Sequence, residues 1–335
     1  MKPGKILVIQ TAFIGDVVLA LPVPQALRKN FPESEIHFLL RKGNESLLDN
    51  HPSIDKVWIW DKNNNKNNGL IKLIQELRKE RFDLVINLQR YFSSGLFTVF
   101  CGAKKSLGFD KNPLSFFFSK SYPHIIGSKT DKAYLHETER NLSLLSDFVQ
   151  FKHAIKPDLF PVKSDYDKIT NYVPDGPMFV LAPASVWFTK QYHQDGWKSL
   201  ALNLSKIGTV ITVGGKNDIP FCNTILDSIP NGLNLAGSLT FLETAALMTH
   251  AKRVFANDSA PLHFASGVNA SVTAIFCSTI PEFGFGPLSD DSIIVETSLE
   301  LACKPCGLHG KKSCPEGHFK CATTIKTEKL IETIR

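Results

Sequence analysis

The strongest constraint on this sequence is an alternation that occurs twice. Short apolar runs rich in β-branched residues, Lys5–Gln10, "EIHFLL" (Glu35–Leu40), "KVWIW" (Lys56–Trp60) and "DLVINL" (Asp83–Leu88), are separated by stretches with helical spacing, Asp16–Asn30 and Leu70–Glu80. Runs of this length fill strands buried on both faces, and their alternation with helices predicts a parallel sheet covered on both sides. The pattern resumes in "MFVLAPAS" (Met178–Ser185), "TVITVGG" (Thr209–Gly215), "RVFAND" (Arg253–Asp258) and "SVTAIFC" (Ser271–Cys277). Helices are expected near Trp197–Ile207, Ile219–Ile229, Phe241–His250 and Ala260–Gly267. Between the halves lies a stretch with Pro157, Pro161, Pro174 and Pro177, the candidate linker. A chain of 335 residues exceeds one ordinary core. The expected organisation is therefore two α/β domains, 1–160 and 161–335, leaving a cleft between the carboxyl ends of their sheets, where such folds bind ligands.

Three segments fall outside the alternation. "DKNNNKNNG" (Asp61–Gly69) reads as a polar loop. Lys104 to Lys132 mixes lysines with Phe116, Phe117, Phe118 and Tyr122. It reads either as a loop with a helix tucked onto the core or as a surface for an amphipathic, anionic partner. Asp165-Tyr166-Asp167 has the form of a metal-nucleotide motif, but after Ser164 and before "KITNYV" it reads as the capped start of a helix.

The basic start (Lys2, Lys5) followed by apolar residues suggests a secretory signal, against which stand Gln10, Thr11 and Asp16 within the would-be hydrophobic region. No uninterrupted apolar segment reaches the ~18 residues a membrane span needs. The net charge of +6 is spread along the chain and suits nucleic acid, acidic lipid or phosphorylated small molecules alike. Seven cysteines, an odd number, point to a reducing compartment.

Chemistry concentrates at strand ends. The first strand runs into a loop with Gly15 and Asp16. A first-turn carboxylate caps free N–H groups and favours the helix dipole, and it would repel a phosphate. In "FANDSAPLHFASG" (Phe255–Gly267), Asn257, Asp258 and Ser259 form a turn before a helix. The free N–H groups at Ser259 and Ala260, with His263 as a positive partner, suit a diphosphate. "PASVWFTKQYHQDGW" (Pro183–Trp197) brings Ser185, Thr189 and Lys190 to another strand end, where the lysine can hold a phosphate as a point charge. In "GGKND" (Gly214–Asp218), Asp218 can accept hydrogen bonds from a ribose.

These strings, with "IGDVVLALPVPQALRKNFP" and "AGSLTFLETAALM", resemble the lipopolysaccharide heptosyltransferases, glycosyltransferase family nine, in the right order over most of the chain. The resemblance implies a GT-B fold, in which one Rossmann-like domain holds the acceptor and the second the nucleotide sugar. It implies an inverting transfer of L-glycero-D-manno-heptose from ADP-heptose to the inner core of lipopolysaccharide, with no cofactor required. Asp16 falls on the family's base, Lys190 on its phosphate-binding lysine, and Asp258, Ser259, Ala260 and His263 on its diphosphate loop. Thr240 and Leu242 fall where the family lines its adenine pocket. Ser259-Ala260 departs from the usual Thr-Gly or Ser-Gly. Gly15, Arg90 and Arg140 are candidate acceptor contacts. The partners implied are ADP-heptose, a lipid A-core acceptor and the inner membrane, touched from the cytoplasm, and not nucleic acid.

Cys303, Cys306, Cys314 and Cys321 give C-x₂-C-x₇-C-x₆-C, a spacing compatible with structural zinc or iron or with four reduced thiols. Similar cysteine-rich tails occur in heptosyltransferase II-like members, the branch this tail favours. Two competing readings remain: a nucleotide-sugar epimerase or hydrolase of the same fold, in which water replaces the acceptor, and a metal-binding nucleic-acid module.

Overall fold

The computed structural model describes residues 3–62, 66–128, 130, 134–149 and 156–334. The described residues up to 149 include six strands: β1 (Lys5–Ile9), β2 (Glu35–Arg41), β3 (Lys56–Trp60), β4 (Leu84–Asn87), β5 (Lys105–Phe109) and β6 (Lys120–Tyr122). With them run α1 (Ile14–Ala20), α2 (Pro22–Asn30), α3 (Lys66–Lys79), α4 (Phe92–Phe100) and α5 (Glu137–Ser143). After α6 (Lys163–Ile169) come β7 (Met178–Ala182), α7 (Gln194–Leu204), β8 (Thr209–Thr212), α8 (Ile219–Leu226), β9 (Leu233–Asn234), α9 (Phe241–Thr249), β10 (Arg253–Asn257), α10 (Ala260–Gly267), β11 (Val272–Phe276) and β12 (Ser292–Glu296). The chain ends in α11 (Lys320–Thr323) and α12 (Thr327–Ile331).

The two sheets share one topology. The first has the order β3-β2-β1-β4-β5-β6 and the second β12-β11-β10-β7-β8-β9. Counted from its own first strand, each is 3-2-1-4-5-6 with every neighbour parallel, the doubly wound dinucleotide-fold order. The central strands read as unbroken apolar runs because both faces are covered: β1 is buried from Ile6 to Ile9, and β7, β10 and β11 are buried throughout. In such sheets the loops at the switch point, after the first and fourth strands, open side by side.

The chain divides into two compact units, Met1–Ile126 with Leu135–Asp158, and Gly127–Tyr134 with Leu159–Arg335. The break near Asp158 lies two residues from the expected 160, while a short segment before it joins the second unit. Among the described residues, no helix is long and apolar enough to cross a membrane.

Several expectations need correction. The helix expected over 16–30 is two, divided at Leu21, because Pro22 and Pro24 donate no N–H and a proline suits the first turn of a new helix. The Asn-rich loop yields to α3 at Lys66, and Asn63, Asn64 and Asn65 lie outside the described residues, as does Lys2. Within 104–132, read as a loop with a tucked helix or as a surface for an anionic partner, lie β5 and β6, joined by a 3₁₀ turn at Ser115–Phe117, while Lys132 lies outside the described residues. The reading of Asp165-Tyr166-Asp167 as the capped start of a helix holds, with Asp165 in the first turn of α6 accepting from Val162 N at 2.8 Å.

Candidate active site

At the first switch point, the loop after β1 has its backbone bonded on both sides. Gln89, just beyond β4, accepts from Thr11 N at 3.1 Å and from Thr11 Oγ1 at 2.7 Å. Lys62 Nζ donates to Thr11 O at 2.6 Å and Asn44 Nδ2 to Ala12 O at 3.2 Å. The Arg41 guanidinium lies 4.7 Å from the centre of the Phe13 ring. Asp16 is the third residue of α1, half-buried, and its Oδ2 accepts from Phe13 N at 3.2 Å. The carboxylate thus caps its helix, and Gly15 precedes it in the first turn.

Arg90 is half-buried at the end of the loop after β4. Arg140 is 1% exposed and grips Glu137 Oε2 through Nε at 2.9 Å and Nη2 at 2.6 Å. Enclosed in this way, Arg140 is a core ion pair, not the acceptor contact expected. Burial raises the Glu137 pKa, with the charges of Arg140 and Arg90 opposing it. Burial and the same two cations push His124 down to about 4.

At the second switch point the sequence candidates meet. Lys190 Nζ lies 2.6 Å from Asp258 Oδ2, and Thr279 Oγ1 donates to that oxygen at 2.6 Å. Asn257 Nδ2 donates to Pro183 O at 2.7 Å and Asn257 Oδ1 accepts from Tyr192 N at 2.9 Å, fixing the Lys190 loop to the end of β10. Ser259 is the extended N-cap of α10 and Ala260 its first residue. His263 is buried one turn further along. Ser185 contributes a backbone carbonyl to Gln191 Nε2 at 2.7 Å.

Asp218 ends the turn after β8, and Thr240 and Leu242 stand at the start of α9; the segments leading to them are joined where Gly237 N donates to Gly214 O at 2.8 Å. Asp218 Oδ2 accepts from Gly215 N at 2.8 Å, and Thr240 caps α9 by accepting from Glu243 N at 3.2 Å. Leu242 is buried beneath.

The cysteine-rich segment packs against the lysine loop. Thr189 Oγ1 accepts from Ser278 Oγ at 3.0 Å and from Lys311 N at 2.8 Å, and Thr189 N donates to Lys311 O at 3.1 Å. Gly310 has φ +74°, and a Cβ there would stand 3.1 Å from Lys190 Cγ and Trp187 Cβ. Sequence reasoning missed Asn257, Thr279, Ser278 and Gly310. Asn257 was legible as part of the turn, whereas the others act only through contacts distant in sequence.

Burial and the charges of the other cysteines raise Cys306, and burial above all raises Cys321 to about 11. Among the described residues, the one group of three potential ligands whose ligand atoms lie within 4.8 Å of one another is Glu35, His37 and Glu80, and its contacts do not suit a metal. Trp58 Nε1 donates to His37 Nδ1 at 3.0 Å, so Nε2 carries the hydrogen, directed at Glu35 Oε1 2.6 Å away. Lys5 Nζ bridges Glu35 and Glu80 at 3.1 and 2.7 Å. The group is an ion-pair network.

Two doubly wound units, with Asp16 at the first switch point and the Lys190–Asp258 pair at the second, have the architecture of the GT-B glycosyltransferases. Residues 70–318 match Glycosyltransferase family 9 (heptosyltransferase), and the chain belongs to that family. It is 27% identical to lipopolysaccharide heptosyltransferase 3 of Escherichia coli over 80% of this chain and 82% of that protein. Its fold is that of a family 9 glycosyl transferase from Veillonella parvula (TM-score 0.83, 20% identity, 98% of this chain and 95% of that one). It is also that of the E. coli ADP-heptose lipopolysaccharide heptosyltransferase II (TM-score 0.80, 20% identity, 98% and 97%).

Proposed function

We propose that this chain transfers L-glycero-D-manno-heptose from ADP-heptose to the inner core of lipopolysaccharide, with inversion. The observation that carries the reading is the Lys190–Asp258 pair at the switch point of the second unit, in a chain of this family. An ammonium has three donors. One held by Asp258 leaves two for a diphosphate, and the carboxylate fixes where they stand. Asp258 is then a positioning residue, and the backbone at Ser259 and Ala260 adds N–H groups at the start of α10. Adenosine falls to Asp218, Thr240 and Leu242.

The first unit takes the acceptor, with Arg90 as a contact for its acidic groups. In a single displacement the acceptor oxygen bonds to the anomeric carbon as the bond to the diphosphate breaks. ADP leaves with the electron pair and the hydroxyl proton passes to Asp16. Lys190 stabilises the charge gathering on the leaving diphosphate, so no metal is assigned a step. The acceptor is lipid-linked, which places the enzyme on the cytoplasmic face of the inner membrane.

A donor-by-acceptor assay with truncated lipopolysaccharides tests this: heptose should appear on the acceptor, with ADP released in equal amount. Consumption of ADP-heptose without acceptor would support an epimerase or hydrolase instead.

A further inference from the structure

α4, "FSSGLFTVF", contains no charged residue. One side is core: Ser94, Gly95, Phe97 and Thr98 are buried, and Phe97 meets Trp60 edge-on with ring centroids 5.1 Å apart. The opposite side is apolar too. Phe92 is 55% and Phe100 50% exposed, with half-buried Leu96 and Val99 between them. Positions i, i+4, i+7 and i+8 form one stripe along the helix, where a surface helix normally shows polar residues to water.

The next turn packs on the same helix from its buried side: Leu114 lies beside Gly95, where an added Cβ would stand 3.1 Å from Leu114 Cβ. Two residues on, Phe116 and Phe117 are 74% and 60% exposed, with their rings 4.1 Å apart.

Cations stand at both ends. Asn112 Nδ2 donates to Gln89 O at 3.1 Å and Tyr91 O at 3.0 Å, bringing Lys111 and Arg90 to the start of the helix. Past its other end, the Arg78 side chain lies along Gly102, and Lys104 and Lys105 follow. Asp83 pairs with Lys104 at 2.6 Å, and Asp110 is exposed beside Lys111, so the balance at the two ends is still positive.

A second copy of the chain would cover the apolar stripe but set like charges against each other. An anionic bilayer answers both features. We propose that α4 and the Phe116–Phe117 turn seat the protein on an anionic membrane surface, the apolar stripe entering the acyl boundary and the flanking cations meeting headgroup phosphates. The inference deepens the reading of a lipid-linked acceptor and rests on it for its purpose. Vesicles without acceptor test it separately from transfer.

The full chain is sedimented with vesicles containing phosphatidylglycerol and with phosphatidylcholine alone. It should bind the former, less so at high salt, and the double substitution Phe116→Ser with Phe117→Ser should weaken binding roughly tenfold or more. The same variant should melt like the parent and transfer heptose normally to a water-soluble acceptor. Phe92→Ser with Phe100→Ser is the second test of the stripe. Equal binding to phosphatidylcholine, binding unaffected in both variants, or a concentration-dependent dimer that the variants abolish would overturn the proposal.

Discussion

Lys190 Nζ and Asp258 Oδ2 lie 2.6 Å apart with side chains only 14% and 5% exposed, so each ion depends on the other for the solvation it has given up. Lys190→Ala should therefore do two things. It should lower stability by about 1–3 kcal/mol by stranding a buried carboxylate, and it should weaken ADP binding by roughly tenfold or more through loss of a charge-assisted contact. Asp258→Asn keeps the shape and should cost ADP less than Lys190→Ala does. Thermal melts and titration calorimetry separate the effects. Unchanged ADP affinity in Lys190→Ala would remove the lysine from the donor site.

Gly310 supplies an independent check on the same loop. It and Gly307 both hold positive φ, +74° and +117°, but only Gly310 has neighbours that an added Cβ would press, among them Lys190 and Thr189. Gly310→Ala and Gly307→Ala should each lose roughly 1–2 kcal/mol to backbone strain. Only Gly310→Ala should also weaken ADP binding, because Lys190 must shift. Equal ADP affinity in the two variants would show that the cysteine-rich segment does not position the lysine.

The contrast between these two glycines marks what the sequence could and could not convey. Strands such as Ile6–Ile9 were legible because burial on both faces writes itself as an unbroken apolar run. The ends of those strands were legible too, so Asp16, Lys190 and Asp258 could be singled out. What was hidden depended on residues distant in sequence. Thr279 bonds Asp258 across 21 positions and Lys311 bonds Thr189 across 122. Arg140 is the exception, for its partner Glu137 is only three residues away, and what the sequence did not convey is that the pair is buried. β5 and β6 were missed for a related reason: "KSLGF" and "KSY" are short, carry lysines and gain strand character from pairing alone.

Acid should loosen the first unit through Glu80. Lys5 and Lys56 stand 2.7 and 2.6 Å from its carboxylate oxygens and hold its pKa down to about 2, from 4.5. A depressed carboxylate stabilises the fold above its unfolded pKa, and that contribution is lost as pH falls toward the folded value. The window runs from about pH 5 down to about 2. Glu80→Gln should lower stability at neutral pH by about 1 kcal/mol, allowing for solvent screening, and flatten the acid limb of the stability curve. Denaturant melts across that range are the measurement. An acid limb as steep in Glu80→Gln as in the parent would assign it to other carboxylates.

Asp16 has a structural duty that must be separated from a chemical one. Its Oδ2 accepts from Phe13 N, the helix-capping role its position in the first turn first suggests. Asparagine can keep that bond through its side-chain oxygen and loses only a small dipole contribution, about 0.3–1 kcal/mol. If capping were all, Asp16→Asn would be nearly silent. A base is different, because as the acceptor hydroxyl attacks the sugar its proton becomes acidic enough for a carboxylate to take, and an amide oxygen cannot take it. The variant should therefore melt within about 1 kcal/mol of the parent and bind ADP with the parent's affinity, since Lys190 and Asp258 are untouched. It should lose on the order of 10²–10⁴ in turnover at saturating substrates. Asp16→Ala removes the cap and the base together, so it should match that loss in turnover while also melting lower. If Asp16→Asn turns over within a few-fold of the parent, the carboxylate is a cap and the base lies elsewhere.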